Sequence, residues 1–190
     1  MNQSMNISVH PEHLIGQLKR IVESDKRSEI RLNANGGNSI LLVCPPILEL
    51  QYIEKLVEMM PLNTYKIIDI NEMLISFVEA HQTDLNEMFD LLRGSVHQIF
   101  KAPEGETSPD LFKYLLGAIE KSFVDNKIPI LIRSGALYGS GIENIHLMEN
   151  ELVMKSKSPV IILYPGTIDG DQLMFLNSRP ASRYRCMIIN

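Results

Sequence analysis

Short apolar runs separated by longer amphipathic stretches make up most of this chain. The clearest runs are Ile-Leu-Leu-Val-Cys at 40–44, Ile-Pro-Ile-Leu-Ile at 128–132 and Val-Ile-Ile-Leu at 160–163. Continuous apolar runs of this length, bounded by turn residues, are typical of strands buried on both faces of a parallel sheet. Weaker runs at 65–70 and 183–189 predict two more strands. We therefore expect five strands.

Between these runs, apolar residues recur every three or four positions, which predicts helices. The spacing predicts helices over 10–23 and 53–60, and several helices without a strand in the block 71–125. Strands that alternate with helices are typical of α/β domains. We expect a single α/β domain over residues 1–190, with a mostly parallel five-stranded sheet and helices on both faces. The block 71–125 is expected to be a helical insert or cap within it.

Composition narrows the classes of function. The chain has 190 residues, is 45% hydrophobic and 22% charged, and carries a net charge of −5. This net charge provides no general attraction to nucleic acid, so direct nucleic-acid binding is disfavoured. The first residues lack the basic and apolar regions of a secretory signal, and no apolar run approaches the ~20 residues that span a bilayer. We expect a cytoplasmic protein without a membrane segment.

The loop after the first strand excludes a working nucleotide-binding P-loop. Such a loop needs glycines, a run of free backbone N–H groups and a lysine, in the pattern Gly-x4-Gly-Lys-Ser/Thr. Here Pro45 and Pro46 lack the N–H, and the pattern occurs nowhere in the chain. A core that resembles a degenerate P-loop or AAA-type sheet, without this motif, remains compatible with the strand pattern.

No other recognised catalytic or metal-binding pattern is present. Ser134-Gly135 and Tyr164-Pro165-Gly166 follow two apolar runs and predict turns, since no nucleophile motif accompanies the serine. His10 and His13, and Asp169 and Asp171, are close in sequence but lack further ligands in a recognised spacing. Cys44 and Cys186 lie in apolar segments, where buried inert thiols are the usual case. We expect no catalytic residue, metal site or cofactor.

Arginines near the last predicted strand allow two interpretations. Arg179, Arg183 and Arg185 lie close together in the sequence. Strand alternation would place Arg183 and Arg185 on one face and Tyr184 on the other, and Arg133 could join them in space. They either form ion pairs with acids such as Asp169 and Asp171, or they form a patch for the acidic groups of a partner or for phosphates.

From Pro129 onward the chain resembles the small BrxB component of bacterial BREX (bacteriophage exclusion) defence systems. The resemblance rests on Arg-Ser-Gly-Ala-Leu-Tyr at 133–138, on Val-Ile-Ile-Leu-Tyr-Pro-Gly at 160–166 with Gly170 and Leu173, and on Tyr184-Arg185. The chain length, the early strand and the acidic helical middle fit that family over nearly the whole chain. The chain has Gly139-Ser140-Gly141-Ile142 where the family usually has a proline and an aromatic residue.

The resemblance implies a non-enzymatic accessory subunit that acts with other BREX components, above all the large PglZ protein of the alkaline-phosphatase superfamily, in host DNA methylation and phage restriction. Analogy with P-loop and AAA-type folds predicts the strand order 5-1-4-3-2. The leading hypothesis is an adaptor that docks a PglZ-like partner through the loops at the carboxyl ends of the strands. The candidate partner or ligand residues are Arg133, Ser134, Gly135, Tyr138, Tyr164, Pro165, Gly166, Arg183 and Arg185.

The alternative hypothesis belongs to another class of function. In it, the protein is a nucleotide- or phosphate-binding enzyme with an unorthodox site at the carboxyl ends of the strands. That site would consist of Ser134, Gly135, Tyr164, Gly166 and Arg185.

Overall fold

Parallel strands and flanking helices form the core of the protein. The computed structural model describes residues 10–24, 27–93, 95–102, 105, 108–181 and 184–190, without the side chains of Arg27 and Val96. The strands are β1 Ser39–Cys44, β2 Tyr65–Asp69, β3 Ile128–Ile132, β4 Val160–Asp169, β5 Gln172–Phe175, β6 Arg179–Pro180 and β7 Met187–Ile189. The α-helices are α1 Pro11–Glu23, α2 Arg27–Asn33, α3 Glu49–Met59, α4 Ile70–Ala80, α5 Gln82–Leu91, α6 Leu111–Val124, α7 Asn144–Met148 and α8 Glu151–Lys155. None of these described helices is long and apolar enough to cross a membrane.

The main sheet has the order β2-β3-β4-β1-β7, and its neighbouring strands run parallel. Numbering these five strands along the chain reproduces the predicted order 5-1-4-3-2, which is thereby confirmed. An antiparallel extension that was not predicted continues from this sheet, since β5 pairs with β4 and β6 pairs with β5. The described part of the chain therefore contains seven strands where five were expected.

Strands β1 and β4 form the centre of the sheet. They pair over six positions, from Ser39 opposite Val160 to Cys44 opposite Pro165. All six residues of β1 are buried, as are the first seven of β4. Burial on both faces explains why both strands are continuous apolar runs, as expected for the interior of a parallel sheet.

Alternate residues of the strands enter two separate apolar cores. Ile40 and Leu42 of β1 pack with helices α1, α2 and α3 on one face. Leu41 and Val43 pack on the other face with α4, α5 and α6, and with the helices that precede β4. The helices predicted over 71–125 thus form a covering layer of the sheet.

Two segments differ from the sequence-based expectation. Tyr164-Pro165-Gly166 continues β4, whereas a turn was predicted. The strand continues because Gly166 has no side chain and so permits the close approach of β5. A Cβ on Gly166 would lie 2.2 Å from the carbonyl oxygen of Met174. The last strand begins at Met187, so Arg185 precedes the strand and the predicted alternation does not apply to it. Arg183 lies outside the described residues.

Gly37 packs against the backbone that leads into β7, and its substitution provides a test of the fold. A Cβ there would lie 1.8 Å from the carbonyl oxygen of Arg185, which is backbone and cannot rotate away. We expect Gly37→Ala to lower the free energy of unfolding by about 2 kcal/mol or more, as overpacking does. Urea unfolding followed by circular dichroism measures this.

Gly16→Ala is the matched control. Gly16 lies inside α1, and a Cβ added there would have no neighbouring atom within 4 Å. Alanine at this position should therefore raise stability by about 0.5–1 kcal/mol through its higher helix propensity. Equal effects of the two substitutions would contradict the close approach at Gly37.

Candidate functional site

Asp69 and Arg133 form an ion pair at the carboxyl edge of the sheet. Asp69 ends β2 and lies opposite Ile132 of β3, so Arg133 follows directly beyond the paired region. Arg133 Nη1 donates to Asp69 Oδ2. Asp69 Oδ1 accepts from the backbone N–H groups of Asn71, at 3.0 Å, and Glu72, at 3.2 Å, and so caps α4. The carboxylate therefore joins the end of one strand, the start of one helix and the loop after the next strand.

The backbone of Arg133 has a left-handed conformation, with φ 55° and ψ 41°. Left-handed backbone costs a non-glycine residue roughly 1–2 kcal/mol, so other contacts must stabilise it. The ion pair with Asp69 is one such contact. A second is the 3₁₀ turn Ser134–Leu137, where the buried Ser134 hydroxyl donates to the carbonyl oxygen of Leu163 at 3.1 Å. The arginine is thus held in one orientation.

Glu49 joins this cluster from a third element. It begins α3 after the short loop that follows β1, and its Oε1 is buried with no hydrogen-bond partner among the described residues. Burial raises the pKa of Glu49. The Arg133 charge and the Arg133 backbone oppose the rise in pKa, while the Asp69 charge adds to it. We call Glu49, Asp69 and Arg133 the edge cluster.

The buried thiols near the sheet are protonated. Burial, followed by the charge of Glu49, raises the pKa of Cys44, and burial raises the pKa of Cys186 to about 12. Both cysteines are free. A protonated buried thiol is a poor nucleophile and a poor metal ligand, so neither cysteine adds reactivity to the edge cluster.

The edge cluster is better suited to holding its own elements together than to binding a metal ion. Arg133 already occupies the cation position beside Asp69. Within the described ranges, no group of three or more His, Cys, Asp or Glu side chains is arranged to hold a metal ion. A carboxyl group with a raised pKa is a possible proton donor or acceptor, and structural ion-pair networks produce the same perturbation.

Five of the candidate residues lie together where β3 ends and where the parallel pairing of β4 ends, namely Ser134, Gly135, Tyr164, Pro165 and Gly166. A Cβ on Gly135 would lie 3.9 Å from the Pro165 ring, and Ser134 bonds to the residue before Tyr164. Tyr164 is fully buried, and its ring packs 5.1 Å from that of Phe175. The hydroxyl of Ser134 is likewise buried and already bonded. These groups therefore face the core of the protein.

Arg185 lies at the opposite edge of the sheet. β7 runs parallel to β1, with Met187 opposite Ile40, and the Arg185 carbonyl lies against Gly37, so Arg185 is beside the amino end of β1. The alternative site is therefore not assembled, since Arg185 and Ser134 are at opposite ends of the strands.

The arginines pair with acids other than those expected. Arg185 pairs with Glu149 at 3.1 Å and Arg179 pairs with Glu143 at 3.0 Å, while Arg133 pairs with Asp69. The expected partners, Asp169 and Asp171, are both exposed: Asp169 is the last residue of β4, and Asp171 lies in the turn between β4 and β5. The prediction that these three arginines form ion pairs is confirmed, but the acids that we expected as their partners were wrong.

Sequence reasoning missed Glu49 and Asp69. Asp69 was detectable, because it ends an apolar run and lies where carboxyl-edge residues of adjacent strands meet. Glu49 is separated from its strand by Pro45-Pro46-Ile47-Leu48, and nothing in that spacing directs its side chain toward Arg133. Tyr138, which was a candidate, is exposed and lines a cavity between the 138–144 loop and the β5–β6 hairpin.

The raised pKa of Glu49 predicts a stability that depends on pH. The native state binds this proton more tightly than the unfolded chain, so the contribution to stability is complete below pH 4.5 and is lost as pH rises through the folded pKa. We expect Glu49→Gln to be more stable than the parent at pH 8 and similar to it at pH 4. Urea midpoints across this range measure the difference, and a less stable variant at pH 8 would contradict the burial of the charge.

Asp69 has two separable roles. Asp69→Asn keeps a side-chain oxygen for the cap of α4 and removes the charge, whereas Asp69→Ala removes both. Loss of the cap costs about 0.5–2 kcal/mol. We therefore expect unfolding free energies in the order parent, Asp69→Asn, Asp69→Ala, with urea unfolding as the measurement. Equal loss in the two variants would show that the cap contributes nothing.

Comparison of the chain with protein-family models, with curated proteins and with solved structures finds no match. The α/β architecture and the geometry of the edge cluster are therefore the basis on which function is considered.

Proposed function

We propose that this protein is a non-enzymatic adaptor subunit that docks a larger protein through the loops at the carboxyl edge of its sheet. The proposal follows the resemblance to BrxB-like components of BREX defence systems and names a PglZ-like protein of the alkaline-phosphatase superfamily as the partner. The observation that carries it is the exposed apolar loop between β1 and α3.

That loop replaces a phosphate-binding loop with apolar side chains. Pro45 and Pro46 offer no backbone N–H, and Pro46–Leu48 forms a single 3₁₀ turn. Ile47 on this turn is 91% exposed, and Leu50 at the start of α3 is 59% exposed. Water surrounds Ile47 in the free chain, so covering it with a partner would be favoured by the hydrophobic effect.

The strand order also supports the proposal that the core is a degenerate P-loop or AAA-type sheet. In this interpretation, the edge that binds nucleotide in such folds has been converted into a protein-binding edge. The edge cluster supplies paired charges near the apolar loop. Glu49 lies two residues after Ile47, and the charge of Arg133 acts on its carboxyl group. An apolar centre with a polar surround is the usual arrangement of a protein interface.

Co-expression with a PglZ-like partner tests this function. We expect the two proteins to co-elute at a defined stoichiometry in size-exclusion chromatography with light scattering. Ile47→Asp should abolish co-elution, because it places a charge where an apolar anchor would be covered. The side chain is almost fully exposed, so the free variant should remain folded.

Val124→Asp is the matched control. Val124 ends α6, just before β3 begins at the amino edge of the sheet, and is 74% exposed. Its substitution should leave co-elution unchanged. Separate elution of two folded proteins would refute the adaptor function, and co-elution that survives Ile47→Asp would refute docking through this loop.

A further inference from the structure

We propose that the open edge of β4, defined as the unpaired side of Gly166–Asp169, binds an extended basic segment of a partner protein as an added strand. These residues continue β4 beyond Pro165, where its pairing with β1 ends. β5 pairs with one side of them, and no described strand pairs with the other. Strand addition to such an edge is a recurring mode of peptide recognition. The proposal concerns a different element from the β1–α3 loop and does not depend on the adaptor function.

The hydrogen bonds of β4 show which side is open. Val160 N–H donates to the carbonyl of Asn38, the residue before β1, at 3.1 Å. The Pro165 carbonyl accepts from the N–H of Leu176, the residue after β5, at 2.8 Å. Successive residues of a strand direct their backbone groups to opposite sides, so even-numbered residues of β4 face β1 and odd-numbered residues face β5. Ile168 therefore presents its N–H and C=O to the side that β1 would occupy if it continued.

Two prolines explain why β1 does not continue along this edge. Pro45 and Pro46 follow Cys44, lead into the 3₁₀ turn and have no N–H to donate. The C=O of Gly166 and both backbone groups of Ile168 therefore have no hydrogen-bond partner among the described residues. An added strand supplies the donors and the acceptor that β1 does not.

The open edge lacks the features that usually protect a strand edge from pairing. Proteins protect such edges with proline, lysine, a bulge or a covering segment. Gly166–Asp169 contains no proline or lysine, its register with β5 has no bulge, and its last three residues are exposed. At the other edge of this small antiparallel sheet, by contrast, Pro180 of β6 lacks a backbone donor. The open edge is therefore the side of this small sheet at which a strand can be added.

The side chains along the open edge specify the chemistry of the added strand. Ile168 lies opposite Leu173 of β5, so one face of the extension is apolar. Asp169 lies on the other face, and Asp171 follows in the exposed turn. The described arginines of this half of the chain pair with other acids, so they do not neutralise these two carboxylates. A strand with apolar residues on one face and lysine or arginine on the other is complementary to both features.

The same charges disfavour a second copy of this chain as the occupant. Pairing of two open edges would bring Asp169 and Asp171 of both copies to one short ladder, and each chain carries a net charge of −5. Like charges that meet at an interface oppose association. A basic segment replaces this repulsion with attraction.

Fluorescence anisotropy of labelled peptides with the full chain tests the occupant. The probes are short peptides in which valine alternates with lysine or with glutamate. We expect the lysine peptide to bind at least roughly ten-fold more tightly than the glutamate peptide, because Asp169 and Asp171 attract the first and repel the second. No binding of the lysine peptide at millimolar concentration, or equal binding of the two peptides, would overturn the proposal.

Two substitutions at one position separate backbone pairing from side-chain contact. Ile168→Pro removes the N–H of the open edge and should weaken binding of the lysine peptide by roughly ten-fold or more. The pairing of β4 with β5 does not use that N–H, so the variant should remain folded by circular dichroism. Ile168→Thr is the matched control: it keeps the N–H and should weaken binding by roughly three-fold or less. Equal weakening in the two variants, or unchanged binding in Ile168→Pro, would overturn strand addition.

Charge reversal provides a test that leaves the strand intact. Asp169→Lys combined with Asp171→Lys changes two exposed side chains and should reverse the preference between the lysine and glutamate peptides. A preference for the lysine peptide that survives this double substitution would overturn the proposed charge complementarity and with it the basic segment as the occupant.

Size-exclusion chromatography with light scattering tests a second copy as the occupant. We expect the parent and Ile168→Pro to have the same mass in solution. A parent dimer that Ile168→Pro converts into a monomer would assign the open edge to a second copy of this chain and overturn the proposal.

Discussion

The parallel pairing of β1 with β4 is the contact on which the other elements depend. The two strands are separated by more than a hundred residues, yet they pair over six positions and are buried on both faces. Their neighbours complete the sheet on each side, and the helices cover it through the alternate residues of the same strands. Every loop at the carboxyl edge is therefore positioned relative to Cys44 and Pro165, where this pairing ends.

The two edges of the sheet have different chemical character. At the carboxyl edge, Glu49, Asp69 and Arg133 come from three separate elements and hold a left-handed turn, with Ile47 exposed beside them. At the amino edge, the Asn38 amide joins backbone segments by donating to the carbonyl groups of Val153, Ser156 and Ser158.

The sequence predicted the strands of the main sheet and fold analogy predicted their order, but neither predicted the contacts of the charged side chains. Continuous apolar runs identify β1, β3 and β4, because burial on both faces leaves no polar position. Pro165-Gly166 resembles a turn locally, and only the approach of Met174 shows why a strand there needs glycine. Arg185 was misplaced because the start of a three-residue strand has no local signal. The edge cluster shows a second limit, since the approach of Glu49 depends on how α3 leaves the proline turn after β1. Packing between elements sets side-chain orientation across such a turn, and no spacing in one chain encodes it.

The position of β1 also has a consequence for how the protein is made. Both strands that flank β1 in the sheet, β4 and β7, are encoded after residue 159. During synthesis, the run Ile-Leu-Leu-Val-Cys therefore leaves the ribosome long before either strand that will pair with it. Non-local pairing of this kind slows folding and exposes apolar strands meanwhile. Until β4 and β7 have emerged, this apolar segment lacks both of the strands that pair with it in the sheet.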